Sequence, residues 1–230
     1  MRTPCPKVIH RHIFEIEGPE VGPIHPEPSD PRLSHRPAPE KDLSMSSIAV
    51  DQVLEAFVRH GDRHYGERVS QTAHALQCAE LAARDGAGEA LVAASLLHDY
   101  GHLLEVERLL DPDNPSTDEM HEMLGADAMA AIFGPEVVQP IALHVAAKRY
   151  LCATEPGYLE GLSAASVHSL TLQGGPFDPV QVRQFEAMPF AADAVRLRRY
   201  DDQGKIEGGE TTQLADYRAL LHRLALAQEG

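Results

Sequence analysis

The chain has 230 residues, a formal net charge of −15 and 13 histidines. That acidic balance argues against a nucleic-acid surface, which needs clustered lysine and arginine, but it leaves room for an anionic small molecule in a local cationic pocket. Three dispersed cysteines, Cys5, Cys78 and Cys152, give no zinc or disulfide spacing, and no apolar run is long enough to span a bilayer.

Nine of the seventeen prolines precede Met45, so residues 1–44 read as an extended, mobile arm and residues 45–230 as the folded domain. The arm lacks the charged start, apolar middle and small-residue end of a secretory signal, and a cytoplasmic location is expected. From Ile48 the pattern is helix after helix. Ile48 to His60 places Val50, Val53, Leu54, Phe57 and Val58 on one face. Ser70 is positioned to cap a helix running to about Arg84, with Ala73, Leu76, Ala79 and Ala83 inward. Glu89 to about His98 predicts a buried helix, since Ala90 to Leu97 carries no charge. Ser116 with Glu119 three residues on resembles a capping box, opening a helix to about Phe133 that Gly134-Pro135 ends. Further helices are expected over Glu136 to Ala153, Leu162 to Leu170, from Asp178-Pro179, Phe190 to Tyr200, and Thr212 to Gln228. With no repeat and no strand pair, the fold class is all-α.

The chemistry centres on His98-Asp99, at the end of the buried helix. Adjacent imidazole and carboxylate groups suit a metal ion, and buried polar groups need partners. His74, His121, His144 and Asp201 lie on or beside separate predicted helices, as in sites built inside helical bundles. Mixed nitrogen and oxygen ligation favours iron or manganese over magnesium. Two ions sharing Asp99 as a bridge would use about this many ligands. Spacing alone does not show that these side chains converge, and a lone histidine is more often a surface or core residue.

His74, the run Leu96-Leu97-His98-Asp99-Tyr100-Gly101-His102 and the distant Asp201 resemble the HD-domain superfamily. His121 and His144 resemble its six-ligand, two-metal branch. More narrowly, Gly66 to Gln77, Leu143-His144 with Lys148, Leu162 to Leu170, Leu172 to Gly175 and Arg196 to Asp202 resemble the HD-domain di-iron oxygenases of phosphonate degradation. The likeness covers roughly Tyr65 to Lys205. It implies an HD-domain helical bundle holding two iron ions in a mixed-valent Fe(II)/Fe(III) pair, with O₂ as co-substrate. The reaction implied is cleavage of the carbon–phosphorus bond of a small α-hydroxyphosphonate, such as 2-amino-1-hydroxyethylphosphonate, to a carboxylic acid and phosphate.

The resemblance further implies His74, His98, Asp99 and Asp201 around one iron and Asp99, His121 and His144 around the other, with Asp202 an alternative to Asp201. His102, Lys148, Ser166 and Arg198 match phosphonate-binding positions, and Gln173 is a weaker candidate for shaping the pocket. Lys148, four residues after His144, can reach the same side of the site. Glu67 matches an acidic lid residue and would attract a substrate ammonium group. The family's aromatic lid residue falls at His64 here, with Tyr65 one step late. The competing reading is metal-dependent hydrolysis of a nucleotide or other phosphoester. A small-molecule partner is expected, without nucleic acid or membrane.

Overall fold

The computed structural model describes residues 43–64, 67–107 and 120–227. The expected arm up to residue 42, Tyr65 and the capping box at Ser116 lie outside the described residues. Within them every regular element is helical: α1 (Leu43–His60), α2 (Gln71–Arg84), α3 (Glu89–Leu97), α4 (Tyr100–Glu107), α5 (His121–Ala130), α6 (Pro135–Thr154), α7 (Ala164–Leu172), α8 (Pro179–Glu186), α9 (Ala191–Gln203) and α10 (Arg218–Ala227). None of these helices is long and apolar enough to cross a membrane.

Local sequence explains most boundaries. Ser70 caps α2, its Oγ accepting the Ala73 N–H at 3.2 Å. Asp178 and Gln181 form a reciprocal cap on α8, which begins at Pro179. Pro135 opens α6 in the same way. Gly174 and Gly175, with φ of +91° and +72°, stop α7, a conformation that side chains with a Cβ resist.

Four expectations are revised. In α1, Val50, Val53, Leu54 and Phe57 are buried but Val58 is exposed. In α2, Ala83 is exposed and Ala73 only half-buried; the buried set is Gln71, His74, Ala75, Leu76, Gln77, Cys78, Ala79 and Ala82. His74, Cys78 and Ala82 follow the four-residue helical repeat, so pointing His74 inward turns Ala83 out. The C-terminal helix expected from Thr212 starts only at Arg218, after a 3₁₀ turn over Leu214–Tyr217. That turn has its own cap, because the Gln213 N–H donates to Asp216 Oδ2 at 2.9 Å. Finally, α4 was not expected. Its early Gly101 is a poor helix former, and only the fold supplies the reason for it.

That reason is a close helix crossing. A Cβ on Gly101 would lie 1.9 Å from the His121 carbonyl oxygen, and one on Gly125 would lie 3.1 Å from the Gly101 nitrogen. α4 and α5 therefore touch backbone to backbone, which draws His121 toward Asp99. Because the obstructing atoms are main chain, they cannot swing aside. Gly101→Ala is expected to destabilise the protein by at least about 1–3 kcal/mol and to lower its metal content, checked by urea denaturation and metal analysis.

The main core gathers residues of α1, α2, α3, α4, α5, α6, α9 and α10, with Leu96, Leu97, Leu103, Met129, Ile141, Leu197 and Leu221 almost fully enclosed. A smaller cluster of Ala147, Phe185, Ala191 and Ala194 holds α8 against α6 and α9. α6 runs beside α3, α5 and α9, and its His144 and Lys148 are buried.

Candidate functional site

The turn between α3 and α4 carries His98 and Asp99 into the interior, where two histidine pairs meet. His74 Nε2 lies 3.3 Å from His98 Nε2, and His121 Nε2 lies 3.2 Å from His144 Nε2. In three of the four rings the other nitrogen faces a carbonyl oxygen, which can only accept: His74 Nδ1 meets Gly204 O at 2.7 Å, His98 Nδ1 meets Ser95 O at 2.9 Å, and His144 Nδ1 meets Ile141 O at 2.8 Å. Each of those Nδ1 atoms therefore carries a proton, and in the neutral ring the Nε2 presents a lone pair. Two ring nitrogens facing one another at 3.2–3.3 Å repel unless a proton or a metal ion lies between them. Two nitrogens each about 2.1 Å from one ion, at an ordinary coordination angle, stand about 3.2 Å apart. The donor set thus fits metal, and the backbone carbonyls orient the rings for it.

Asp99 joins the two pairs. Its Oδ1 is 3.4 Å from His121 Nε2, 3.7 Å from His144 Nε2 and 3.5 Å from His98 Nε2, while its Oδ2 is 3.7 Å from His74 Nε2. Asp201 Oδ1 is 3.4 Å from His74 Nε2 and its Oδ2 is 3.9 Å from His98 Nε2. Of the two neighbouring aspartates, Asp201 faces the histidines. Asp202 instead accepts from Arg198 and from the Tyr158 hydroxyl. The six residues proposed from sequence as metal ligands are all brought together.

Burial and mutual charge set the protonation of this cluster. Burial pushes His98 below the ordinary imidazole range, and burial together with the neighbouring His98 and His121 pushes His144 well below it. For Asp99 burial acts upward, but the charges of His98, His102 and His121, with a hydrogen bond from His121, outweigh it and hold the carboxyl well below its usual range. Burial acts upward on Asp201 too, and Arg198 and Lys205 outweigh it.

The two lowered histidines set a pH dependence for the metal-free protein. In the window below about pH 6.5 they become protonated when unfolded while still neutral when folded, so the unfolded state holds more protons and stability falls as the pH is lowered. His74 is held above the ordinary range, burial being outweighed by Cys78 and Asp201; it opposes that slope near pH 6.5 and ceases to matter about a unit lower, where it is protonated in both states. The loss is at most about 3 kcal/mol per pH unit, or two protons' worth, and is reached only about a unit below pH 6.5, where the unfolded imidazoles are fully protonated. Urea titrations of metal-free protein at stepped pH would check it; a flat profile would contradict it.

Beside the histidine and aspartate cluster lies a cationic cradle. Arg198, 3% exposed, donates from Nη1 to Asp201 Oδ2 at 2.6 Å and from Nη2 to Ser166 Oγ at 3.3 Å. It also reaches Asp202, and its Nε meets the Tyr158 hydroxyl at 3.3 Å. Burial opposes its charge, but Asp201 and Asp202 prevail and raise its pKa further. Lys148, 2% exposed, donates to Ser169 Oγ at 2.7 Å. Lys205 Nζ reaches Glu67 Oε1 at 2.9 Å, Ser166 Oγ at 3.2 Å and Asp201 Oδ1 at 3.4 Å. The three cations thus meet the first turns of α7, where Ser163 caps the helix by accepting the Ser166 N–H at 3.1 Å. Charge-assisted donors of this kind suit a phosphonate or phosphate group.

The remaining sequence candidates divide. His102 stacks on His121, ring centroids 4.0 Å apart, and its Nδ1 meets Glu105 Oε2 at 3.2 Å. Glu67 accepts from Ser163 Oγ at 2.7 Å as well as from Lys205. Gln173 follows the last turn of α7, one turn beyond Ser169 and on the same helix face as Ser166 and Ser169. His64 is exposed. Lys205, Ser163, Ser169, Glu105 and Tyr158 were given no role from sequence. For Lys205 a signal existed, since it follows Asp201 by four residues just as Lys148 follows His144.

No family model matches the chain. The protein is 42% identical over 178 residues to hydroxymethylphosphonate dioxygenase of Gimesia maris, an alignment covering 76% of this chain and 89% of that protein. It is 38% identical over 176 residues, with the same coverage, to the glycine-betaine-forming 1-hydroxy-2-(trimethylamino)ethylphosphonate dioxygenase of Leisingera caerulea. With that much identity over most of both relatives, the chain belongs to the phosphonate dioxygenase family.

Proposed function

We propose that the protein is a cytoplasmic di-iron oxygenase that cleaves the carbon–phosphorus bond of a small α-hydroxyphosphonate with O₂. The products are a carboxylic acid and phosphate, so one O₂ supplies both oxygens that the products gain. The observation that carries the reading is the pair of facing Nε2 contacts bridged by Asp99, set against the cradle of Lys148, Arg198 and Ser166. A hydrolase needs the metals but gives no reason for family membership with two phosphonate dioxygenases.

In this reading residues 45–230 form the catalytic domain. His74, His98, Asp99 and Asp201 hold one iron, and Asp99, His121 and His144 the other. Iron in a mixed-valent Fe(II)/Fe(III) pair supplies O₂ activation and chelation of the substrate's hydroxyl and phosphonate oxygens. The protein's part is positioning. Lys148 and Arg198 offset the phosphonate charge. Ser166 donates a hydroxyl from the start of α7, and His102, fixed by Glu105 and by its stack on His121, faces the same group. Arg198 needs little reorganisation to do so, because Asp201, Asp202 and Tyr158 already fix its guanidinium. Glu67 and Tyr65 are assigned to the lid over the metals, and Gln173 to the outer wall of the pocket.

The test is a panel of α-hydroxyphosphonates incubated with iron-loaded protein in air and under argon. Phosphate and carboxylic acid are expected in air only. Equal phosphate release from a phosphoester under both atmospheres would instead establish the hydrolase.

A further inference from the structure

The acidic groups of the cradle are all engaged by the chain's own cations. Asp201 is bound by Arg198 at 2.6 Å, with Lys205 at 3.4 Å, and Asp202 accepts from the second Arg198 nitrogen. Glu67 is the one whose engagement bears on substrate choice. It is tied to the phosphonate-facing end of α7 through Ser163, whose Oγ is 2.7 Å from Glu67 Oε1 and 3.2 Å from Ser166 Oγ. A cationic group on the substrate, held next to a phosphonate at Ser166, would look to this carboxylate. Lys205 already occupies it, with Nζ 2.9 Å from Glu67 Oε1 and 3.2 Å from Ser166 Oγ.

We propose that Lys205 is a specificity-determining residue: by occupying Glu67 it excludes a substrate ammonium group, so the preferred α-hydroxyphosphonate carries an uncharged substituent on its hydroxyl-bearing carbon. The proposal rests on the oxygenase reading above. Its physical basis is that a second cation near Lys205 meets a like charge without a free counter-charge, and like charges at such separations strongly disfavour binding in a half-buried site. The Lys205 side chain is 17% exposed and that of Glu67 23% exposed, so water screens the pair only in part. A small neutral substituent avoids this cost.

The experiment compares kcat/KM for hydroxymethylphosphonate, 2-amino-1-hydroxyethylphosphonate and the trimethylated analogue of the latter. The iron-loaded wild type, Lys205→Gln and Glu67→Gln are assayed. The wild type is expected to favour hydroxymethylphosphonate over both cationic compounds by at least about tenfold. Lys205→Gln frees Glu67 and is expected to narrow that ratio by about tenfold, chiefly through KM for the cationic substrates. Glu67→Gln leaves Lys205 with less counter-charge and is expected to widen the ratio. A wild type that prefers a cationic substrate overturns the proposal. So does a Lys205→Gln variant that slows all three substrates by one common factor, which is what a structural role alone would give. If Lys205→Gln does not fold, the wild-type and Glu67→Gln ratios decide the matter. O₂-dependent phosphate release from none of the three removes the oxygenase reading itself, a result distinct from a wrong preference among active substrates.

Discussion

Asp99→Ala is expected to empty both halves of the metal site at once, taking bound iron from about two per chain to near zero. Its two oxygens lie within 3.4–3.7 Å of Nε2 atoms from His74, His98, His121 and His144. Removing the carboxylate leaves one side with only His121 and His144, too few protein ligands for a tight site. It also withdraws negative charge that favours a cation throughout the cluster. His144→Ala is the contrasting variant. It spares His74, His98, Asp99 and Asp201, so about one iron per chain is expected to remain. Both variants should lose at least about a hundredfold in activity, since even outer partners of metal ligands contribute tenfold to a hundredfold. Metal analysis alongside circular dichroism separates loss of ligation from loss of fold. An Asp99→Ala protein that keeps two irons and full O₂ uptake would refute the bridging role.

Arg198→Ala is expected to cost about 3–5 kcal/mol of stability as well as activity. The guanidinium is nearly fully buried and satisfies Asp201 and Asp202 together. Deleting it leaves Asp201 with Lys205 and His74 and Asp202 with the Tyr158 hydroxyl, and removes the donor to Ser166. In a domain of this size that corresponds to a fall in Tm of roughly 10 °C or more. Arg198→Lys keeps a charge but cannot form the planar fork to two carboxylates, so it should recover part of the stability and little of the activity. Denaturation of the metal-free proteins isolates the ion-pair contribution. A loss below about 1 kcal/mol would show that Asp201 and Asp202 find other partners.

Much of this arrangement was legible in the chain. The capping residues Ser70 and Asp178, the proline that opens α8, and the uncharged run of α3 act over a few residues, so local pattern placed those helices closely. His98-Asp99 stood out because adjacent polar groups ending a buried helix demand partners. What could not be read is long-range. The carbonyl that orients His74 belongs to Gly204, 130 residues away, and a Cβ at Gly204 would lie 2.6 Å from Cys78 Sγ. Neither residue type announces that contact. The choice between Asp201 and Asp202 depends on one step of rotation about α9, which sequence spacing does not fix. α4 was missed because Gly101 reads locally as a helix breaker, whereas its lack of a side chain is what admits α5. Lys205 looked like any lysine after a helix, and only its contacts to Glu67, Ser166 and Asp201 set it apart.

The central claim is that O₂ is consumed in breaking a carbon–phosphorus bond at the Asp99-bridged metal pair. Simultaneous recording of O₂ uptake and phosphate release by iron-loaded protein on an α-hydroxyphosphonate tests it most directly. One O₂ consumed per phosphate released, with both signals absent from Asp99→Ala, is the expected result. Phosphate release that continues at full rate without O₂ uptake would contradict it.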